Sequence, residues 1–203
     1  MKITMIDYGA SNIRSALKAF EHLGADVLLT GDPADVLEAG KLVLPGVGAF
    51  GSGMEAVRQL GLEDAVKQRV AAGVPLLGIC VGMQFLFESS DEMGSHTGLG
   101  LIPGDVTRFE PTDPANKVPH MGWNQVKHDE NHWLMSGVPA GSYVYFVHSY
   151  YCRPTKPSAT IASTDYEAEF CAVVGHENVY GIQFHPEKSQ KHGLQILNNY
   201  IDL

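Results

Sequence analysis

The sequence predicts an α/β fold: an open, mixed, mostly parallel sheet with helices on both faces, to which the second half of the chain adds antiparallel strands. Up to Ser90, short apolar runs alternate with stretches whose apolar residues recur at helical spacing, the rhythm of strand and helix that builds parallel sheets. Within that half, the run 74–86 breaks at a glycine, presents one cysteine and resumes with a helical pattern, which reads as strand, sharp turn and helix. Beyond Ser90 the character changes. Gly, Pro and polar residues dominate to about Asn116, and the later apolar segments alternate in the manner of antiparallel strands.

Lys2–Ile6 is the first strand and ends at Asp7-Tyr8-Gly9-Ala10-Ser11. Ser11 or Asn12 is placed to cap a helix in which Ile13, Ala16, Leu17, Phe20 and Leu23 share one face, and Gly24 supplies its stop. Residues 25–30 form a second strand, 33–39 a short helix and 41–44 a third strand, which runs into a glycine-rich stretch at 45–53. A helical segment over 54–72, interrupted at Gly61, leads through Gly73 to the strand ending at Cys80. Strands are expected at 106–109, 143–151, 159–163, 171–175 and 179–184. Residues 188–200, with Leu194, Leu197 and Ile201 at helical spacing, close the fold. At 203 residues and 44% hydrophobic composition the chain suits one sizeable core, so a single domain over 1–203 is expected.

Gly78-Ile79-Cys80-Val81-Gly82 has the pattern of a nucleophile elbow with sulfur in place of oxygen. A tight reversal needs room on both sides of the nucleophile, which Gly78 and Gly82 provide. The helix starting at Val81 would aim its N-terminal N–H groups at the Cys80 sulfur and favour the thiolate. The plainer reading makes Cys80 a small buried hydrophobe at a strand end, and the rest of the chain has to decide.

A cysteine nucleophile needs a base and a group that orients the base. Phe184-His185-Pro186-Glu187 offers both: Pro186 biases His185 toward an extended conformation, so the two polar side chains can point the same way. A strand-end histidine beside a carboxylate is also a common structural feature. Paired with the elbow, it completes a Cys, His, Glu set.

Gly46-Val47-Gly48-Ala49-Phe50-Gly51 spells GxGxxG and raises the rival of a dinucleotide site. That fingerprint belongs after the first strand, with an acidic residue ending the next; here it follows the third strand, and the next ends in Cys80. The other use of such a loop is an oxyanion hole, in which a backbone N–H near Val47 or Gly48 joins that of Val81.

Composition narrows the partners. A formal net charge of −9, from 14 basic and 23 acidic residues without a basic block, argues against nucleic acid and fits a small substrate or a protein partner. Cys80, Cys152 and Cys171 are odd in number and lack CxxC spacing, which argues against disulfides or structural zinc and fits a reducing cytoplasm. Cys152 and Cys171 are expected in strands without chemistry, and Trp123 and Trp133 as core or interface anchors. No segment reads as a signal peptide or a membrane span. His128 and His132 lie in the polar His128-Asp129-Glu130-Asn131-His132, expected to be a solvated loop, so neither metal nor cofactor is expected.

Gly78-Ile79-Cys80-Val81-Gly82-Met83-Gln84, the Pro45-Gly46-Val47-Gly48 loop and His185-Pro186-Glu187, in that order, resemble the class I, or triad, glutamine amidotransferases over essentially the full length. Asp7-Tyr8-Gly9 with Asn12 and Ser15, Met121-Gly122-Trp123-Asn124, Phe146-Val147-His148-Ser149-Tyr150 and Lys188-Ser189 narrow the likeness to the branch that serves imidazole glycerol phosphate formation in histidine biosynthesis. Val81 departs from the common leucine, but its backbone N–H is what matters. The resemblance implies that Cys80 attacks the glutamine carboxamide, that His185, oriented by Glu187, gives a proton to the departing ammonia, and that water then releases glutamate. It further implies that Gly48, Gln84, Ser149 and Tyr150 help hold glutamine. Ammonia would pass to a (β/α)₈ cyclase subunit faced by Asn12, Trp123, Tyr145 and Lys188. The competitors are a glutaminase of another class I enzyme and a non-catalytic binding module of the same fold.

Overall fold

The computed structural model describes residues 2–113, 116–129 and 131–203. Met1, Pro114 and Ala115 of the polar tract, and Glu130 between His128 and His132 lie outside the described residues.

The chain opens with β1 (Lys2–Ile6), α1 (Ile13–His22), β2 (Asp26–Thr30), α2 (Pro33–Leu37) and β3 (Leu42–Gly46). It continues with α3 (Phe50–Gln59), α4 (Leu62–Ala71), β4 (Leu76–Cys80) and α5 (Val81–Phe85). β2 pairs with one edge of β1 and β3 with the other, all parallel, and β4 follows β3. Because the strand order reverses at β1, right-handed crossovers place α1 on one face and the helices that follow on the other. Every residue of β3 and β4 is buried, as parallel strands covered on both faces require. The apolar stripe of α1 buries Ile13, Ala16, Ala19 and Phe20.

Local departures from the sequence expectation have identifiable causes. Asn12 stands at the N-cap of α1, but with φ 64° its side chain caps no backbone N–H; its Oδ1 accepts from Ser15 Oγ at 2.8 Å instead. α3 starts at Phe50 rather than 54, taking Gly51 and Gly53 into the helix. A Cβ on Gly53 would lie 2.3 Å from the Phe85 ring, so close helix packing, not a loop, is what that glycine serves. The glycine-rich loop shrinks to Val47, Gly48 and Ala49, between the end of β3 and the start of α3.

The second half contains β5 (Phe87–Ser90), β6 (His96–Thr97), β7 (Ile102–Arg108), β8 (His120–Gln125), β9 (Lys127–His128) and β10 (Tyr143–His148). After these come β11 (Tyr150–Pro154), β12 (Thr160–Tyr166), β13 (Ala168–His176), β14 (Val179–Ile182) and α6 (Gln190–Asp202). The run 143–151 is two strands, not one. The break at Ser149 leaves β10 in an antiparallel ribbon with β8, while β11 joins the large sheet beside β7 and β13. β8 escaped the sequence reading because Met121, Trp123 and Gln125 are exposed and Gly122 interrupts it. His128 lies in β9, half-buried with neither ring nitrogen bonded, rather than in a solvated loop.

The large sheet has the order β2-β1-β3-β4-β14-β13-β11-β7-β5-β6, with β12 on β13 and β9 on β12. β14, expected among antiparallel strands, runs parallel to β4 and antiparallel to β13, so it is the seam between the two halves. α6 starts at Gln190 because Pro186–Lys188 forms a separate 3₁₀ turn. Its end is tied to the central strands: Lys41 Nζ donates to the Tyr200 and Ile201 carbonyls at 2.9 and 2.8 Å, and the Tyr200 hydroxyl donates to Leu42 O at 2.6 Å. Among the described residues no helix is long and apolar enough to cross a membrane.

Candidate active site

β4 ends at Cys80, whose φ of 56° and ψ of −115° place a non-glycine residue in a conformation costing about 1–3 kcal/mol. The turn is held by close packing. A Cβ on Gly82 would lie 1.8 Å from Leu44 O, and one on Gly78 would lie 2.5 Å from Gly82 O, so neither position admits a side chain. α5 begins at once at Val81, so its first, unpaired backbone N–H groups come directly after the Cys80 turn.

β14 brings the second component. Its register sets Ile182 opposite Ile79, so the chain leaves the sheet next to Cys80 and reaches His185 at the same carboxyl edge. The His185 backbone is fixed on two sides: its N–H donates to Tyr145 O at 2.9 Å, and its carbonyl accepts from Ser189 Oγ at 2.7 Å. Ser189 is fully buried, and its hydroxyl oxygen also accepts from Tyr145 N. The His185 ring bonds Glu187 Oε1 through Nδ1 at 2.8 Å, which leaves Nε2 for the Cys80 side of the cavity. Burial alone would lower His185, but the neighbouring Cys80 and Glu187 prevail and hold it at about 10. A charged imidazole can therefore stand between the sulfur and the carboxylate.

Val47, Gly48, Cys80, Val81, Gln84, Ser149, Tyr150 and His185 line one cavity of about 310 Å³. Gln84 Nε2 donates to Tyr150 O at 3.0 Å and Gln183 Oε1 at 3.1 Å, which fixes its amide. Gly48 has φ 103° with open space where a Cβ would be. Glu187 is not in this cavity. With His185 it lines a second, narrow cleft bordered by Asn12, Gly46 and Val47.

Sequence reasoning missed Glu92, Pro119, Val147 and His148 in the cavity wall. Glu92 reaches it from the loop between β5 and β6, where its Oε2 accepts from Phe50 N at the start of α3. Nothing in the polar stretch Ser89-Ser90-Asp91-Glu92 marked it; only the fold brings it to Cys80. Of the expected partner-facing residues, Trp123, Tyr145 and Lys188 form one surface row: the two rings are 5.9 Å apart, and Lys188 Nζ sits 5.9 Å from the Tyr145 ring centre. Asn12 is exposed at the narrow cleft instead. Trp133 packs edge-on against Tyr180, and Cys152 and Cys171 are buried neighbours on β11 and β13. No group of three metal-binding side chains occurs among the described residues.

Comparison with known proteins identifies the family of the chain. The family model for class I glutamine amidotransferase matches residues 4–203. Imidazole glycerol phosphate synthase subunit HisH of Salinibacter ruber is 48% identical over 204 residues, covering 98% of this chain and 94% of that protein. The subunit of the same name from Syntrophotalea carbinolica is also 48% identical, over 99% of this chain and all of its own length. Among solved structures, a glutamine amidotransferase superposes with a TM-score of 0.77 at 17% identity, covering 98% of this chain and 97% of its own. PurLQS from Thermotoga maritima gives 0.76 at 18%, covering 99% and 97%, and both structures speak for the fold.

Proposed function

Since the chain belongs to the class I glutamine amidotransferases, and acts as the glutaminase subunit of an imidazole glycerol phosphate synthase, we propose that Cys80, His185 and Glu187 are its catalytic triad. The observation that carries this is that Cys80 and His185 line one cavity with fixed polar walls while Glu187 bonds the far nitrogen of the His185 ring.

Glutamine enters with its carboxamide toward Cys80. Gln84 and the Ser149–Tyr150 backbone hold it, and the Glu92 carboxylate accepts from its ammonium group. The Cys80 sulfur attacks the carboxamide carbon, and the C=O electron pair moves onto oxygen. The Val81 N–H, with one from the Val47–Gly48 loop, stabilises that oxyanion; each donor contributes on the order of 3 kcal/mol. His185 gives its Nε2 proton to the nitrogen, the C–N bond breaks, and ammonia leaves a γ-glutamyl thioester. Water then attacks the thioester as His185 takes its proton, the C–S bond breaks, and glutamate departs with the thiolate restored. Glu187 keeps the ring in the tautomer this cycle needs.

Ammonia passes to a partner cyclase subunit of (β/α)₈ architecture, docked over the Trp123, Tyr145 and Lys188 row with Asn12 at the cleft. The single domain spans 1–203 and works in the cytoplasm, which its three free cysteines support. Cys80→Ala tests the reading: in the complex it abolishes glutamine-dependent product formation and leaves ammonia-dependent formation intact. Equal loss of both activities, or retained glutamine turnover, overturns it.

A further inference from the structure

Two buried histidines that the mechanism does not use stand behind the cavity. His148, the last residue of β10, lines it, and His120, its cross-strand neighbour on β8, lies against it. Their bonding fixes every proton. The Tyr150 carbonyl can only accept, so His148 donates to it from Nδ1 at 2.8 Å. In a neutral ring His148 Nε2 is then bare, and the 3.3 Å contact there is a donation from His120 Nδ1. His120 Nε2 accepts in turn from Asn124 Nδ2 at 3.3 Å. The Asn124 amide is oriented independently, its Nδ2 donating to Asp165 O at 2.8 Å and its Oδ1 accepting from Gln125 N. Burial keeps both rings neutral, pushing His120 down to about 4 and His148 to about 3. His120 is also clamped between Phe146 and Tyr166, whose ring centres lie 4.8 and 4.0 Å from its own.

The row is polarised in one direction, from Asn124 to the Tyr150 carbonyl. That carbonyl is the one that accepts from Gln84, and Gln84 commits its other Nε2 proton to Gln183. The side chain therefore has only Oε1 left to offer a ligand. We propose that His148 and His120 are positioning residues for glutamine, acting through Tyr150 to hold Gln84 and the Ser149–Tyr150 segment. Met121 and Trp123, on the same strand as Asn124, are among the most exposed large apolar side chains. The inference rests on reading the cavity as the glutamine site.

Steady-state kinetics of the complex at saturating acceptor tests it. His148→Phe removes the donor to Tyr150 and is expected to raise the glutamine KM by about tenfold or more, with kcat within about threefold and ammonia-dependent activity retained. His148→Asn, whose Nδ2 replaces the Nδ1 donor, brings KM back to within about threefold of wild type. An unchanged KM in His148→Phe, or an Asn variant no better than the Phe one, overturns the proposal, because a merely structural histidine gives no such rescue. Should the Phe variant fail to fold, two-bond ¹H–¹⁵N spectra of the wild-type complex at neutral pH decide. Both rings must be neutral with the proton on Nδ1, and an Nε2–H tautomer or an imidazolium at either refutes the row. Cys80→Ala separates this failure from that of the underlying reading, since retained glutamine turnover in that variant would mean the cavity is not the glutaminase site at all.

Discussion

His185 is held by partners on both ring nitrogens, and the consequence for pH is calculable in sign. Its value of about 10 in the fold compares with 6.5 in a free chain, so between those limits the native state binds the extra proton. The stability contributed is complete below about pH 6.5 and is lost as pH climbs through about 10. Thermal midpoints should therefore fall more steeply across that window for wild type than for Cys80→Ala, which lacks one of the two groups raising the ring. Parallel curves would show that ring and sulfur are uncoupled. In turnover, Glu187→Gln keeps an oxygen for Nδ1 but loses the charge, and is expected to cost about 10–100-fold, whereas His185→Ala costs about 10³-fold or more. Glutaminase assays giving the reverse ranking would contradict the roles assigned. Cys80, His185 and Glu187 were legible in the sequence because each sits in a local pattern that restricts the backbone: flanking glycines for the first, a proline between the other two. Glu92 and His148 were not, since their proximity to Cys80 is created by strand pairing far along the chain.

Among the elements, α6 shows how a remote helix steadies the sheet that carries the site. Lys41, buried at the start of β3, donates to two carbonyls at the C-terminal end of α6, where the helix dipole also favours a cation. Burial lowers its affinity for a proton and nearby Asp202 counters that. Lys41→Met keeps the stem and removes the charged donor. It should cost about 2 kcal/mol of unfolding free energy in urea titrations while leaving the glutamine KM unchanged. A loss of activity without loss of stability would point to a role at the site instead. The parallel strands and α1 were readable from period and from the Gly24 stop, because their burial is set by local crossovers. The ribbon was not: Gly122 and the exposed Met121 and Trp123 break the alternation that identifies a strand, and the ribbon exists only because β10 lies opposite. Nor could apolar pattern alone show that the chain leaves one sheet for another at Ser149.

On the scale of the whole molecule, the ribbon, Lys188 and the narrow cleft place a surface of aromatic and cationic groups beside the triad. Trp123→Ala or Lys188→Ala should weaken association with the cyclase subunit by about tenfold or more, as truncation of an aromatic or charged anchor does, with little change in thermal midpoint. Unchanged affinity by calorimetry, together with a large loss of stability, would assign these side chains to the fold. The general architecture was legible, yet the placement of β14 was not, because a short apolar run carries no sign of which neighbour it will find. That placement has a consequence for biosynthesis of the chain. While a ribosome is still adding residues before Val179, β4 has an open edge, Cys80 has neither His185 nor Glu187 beside it, and the antiparallel half has no strand to lean on. The proposed site is thus completed last. If the proposed triad is right, a chain that stops before His185 would carry Cys80 without its two partners and would release no ammonia.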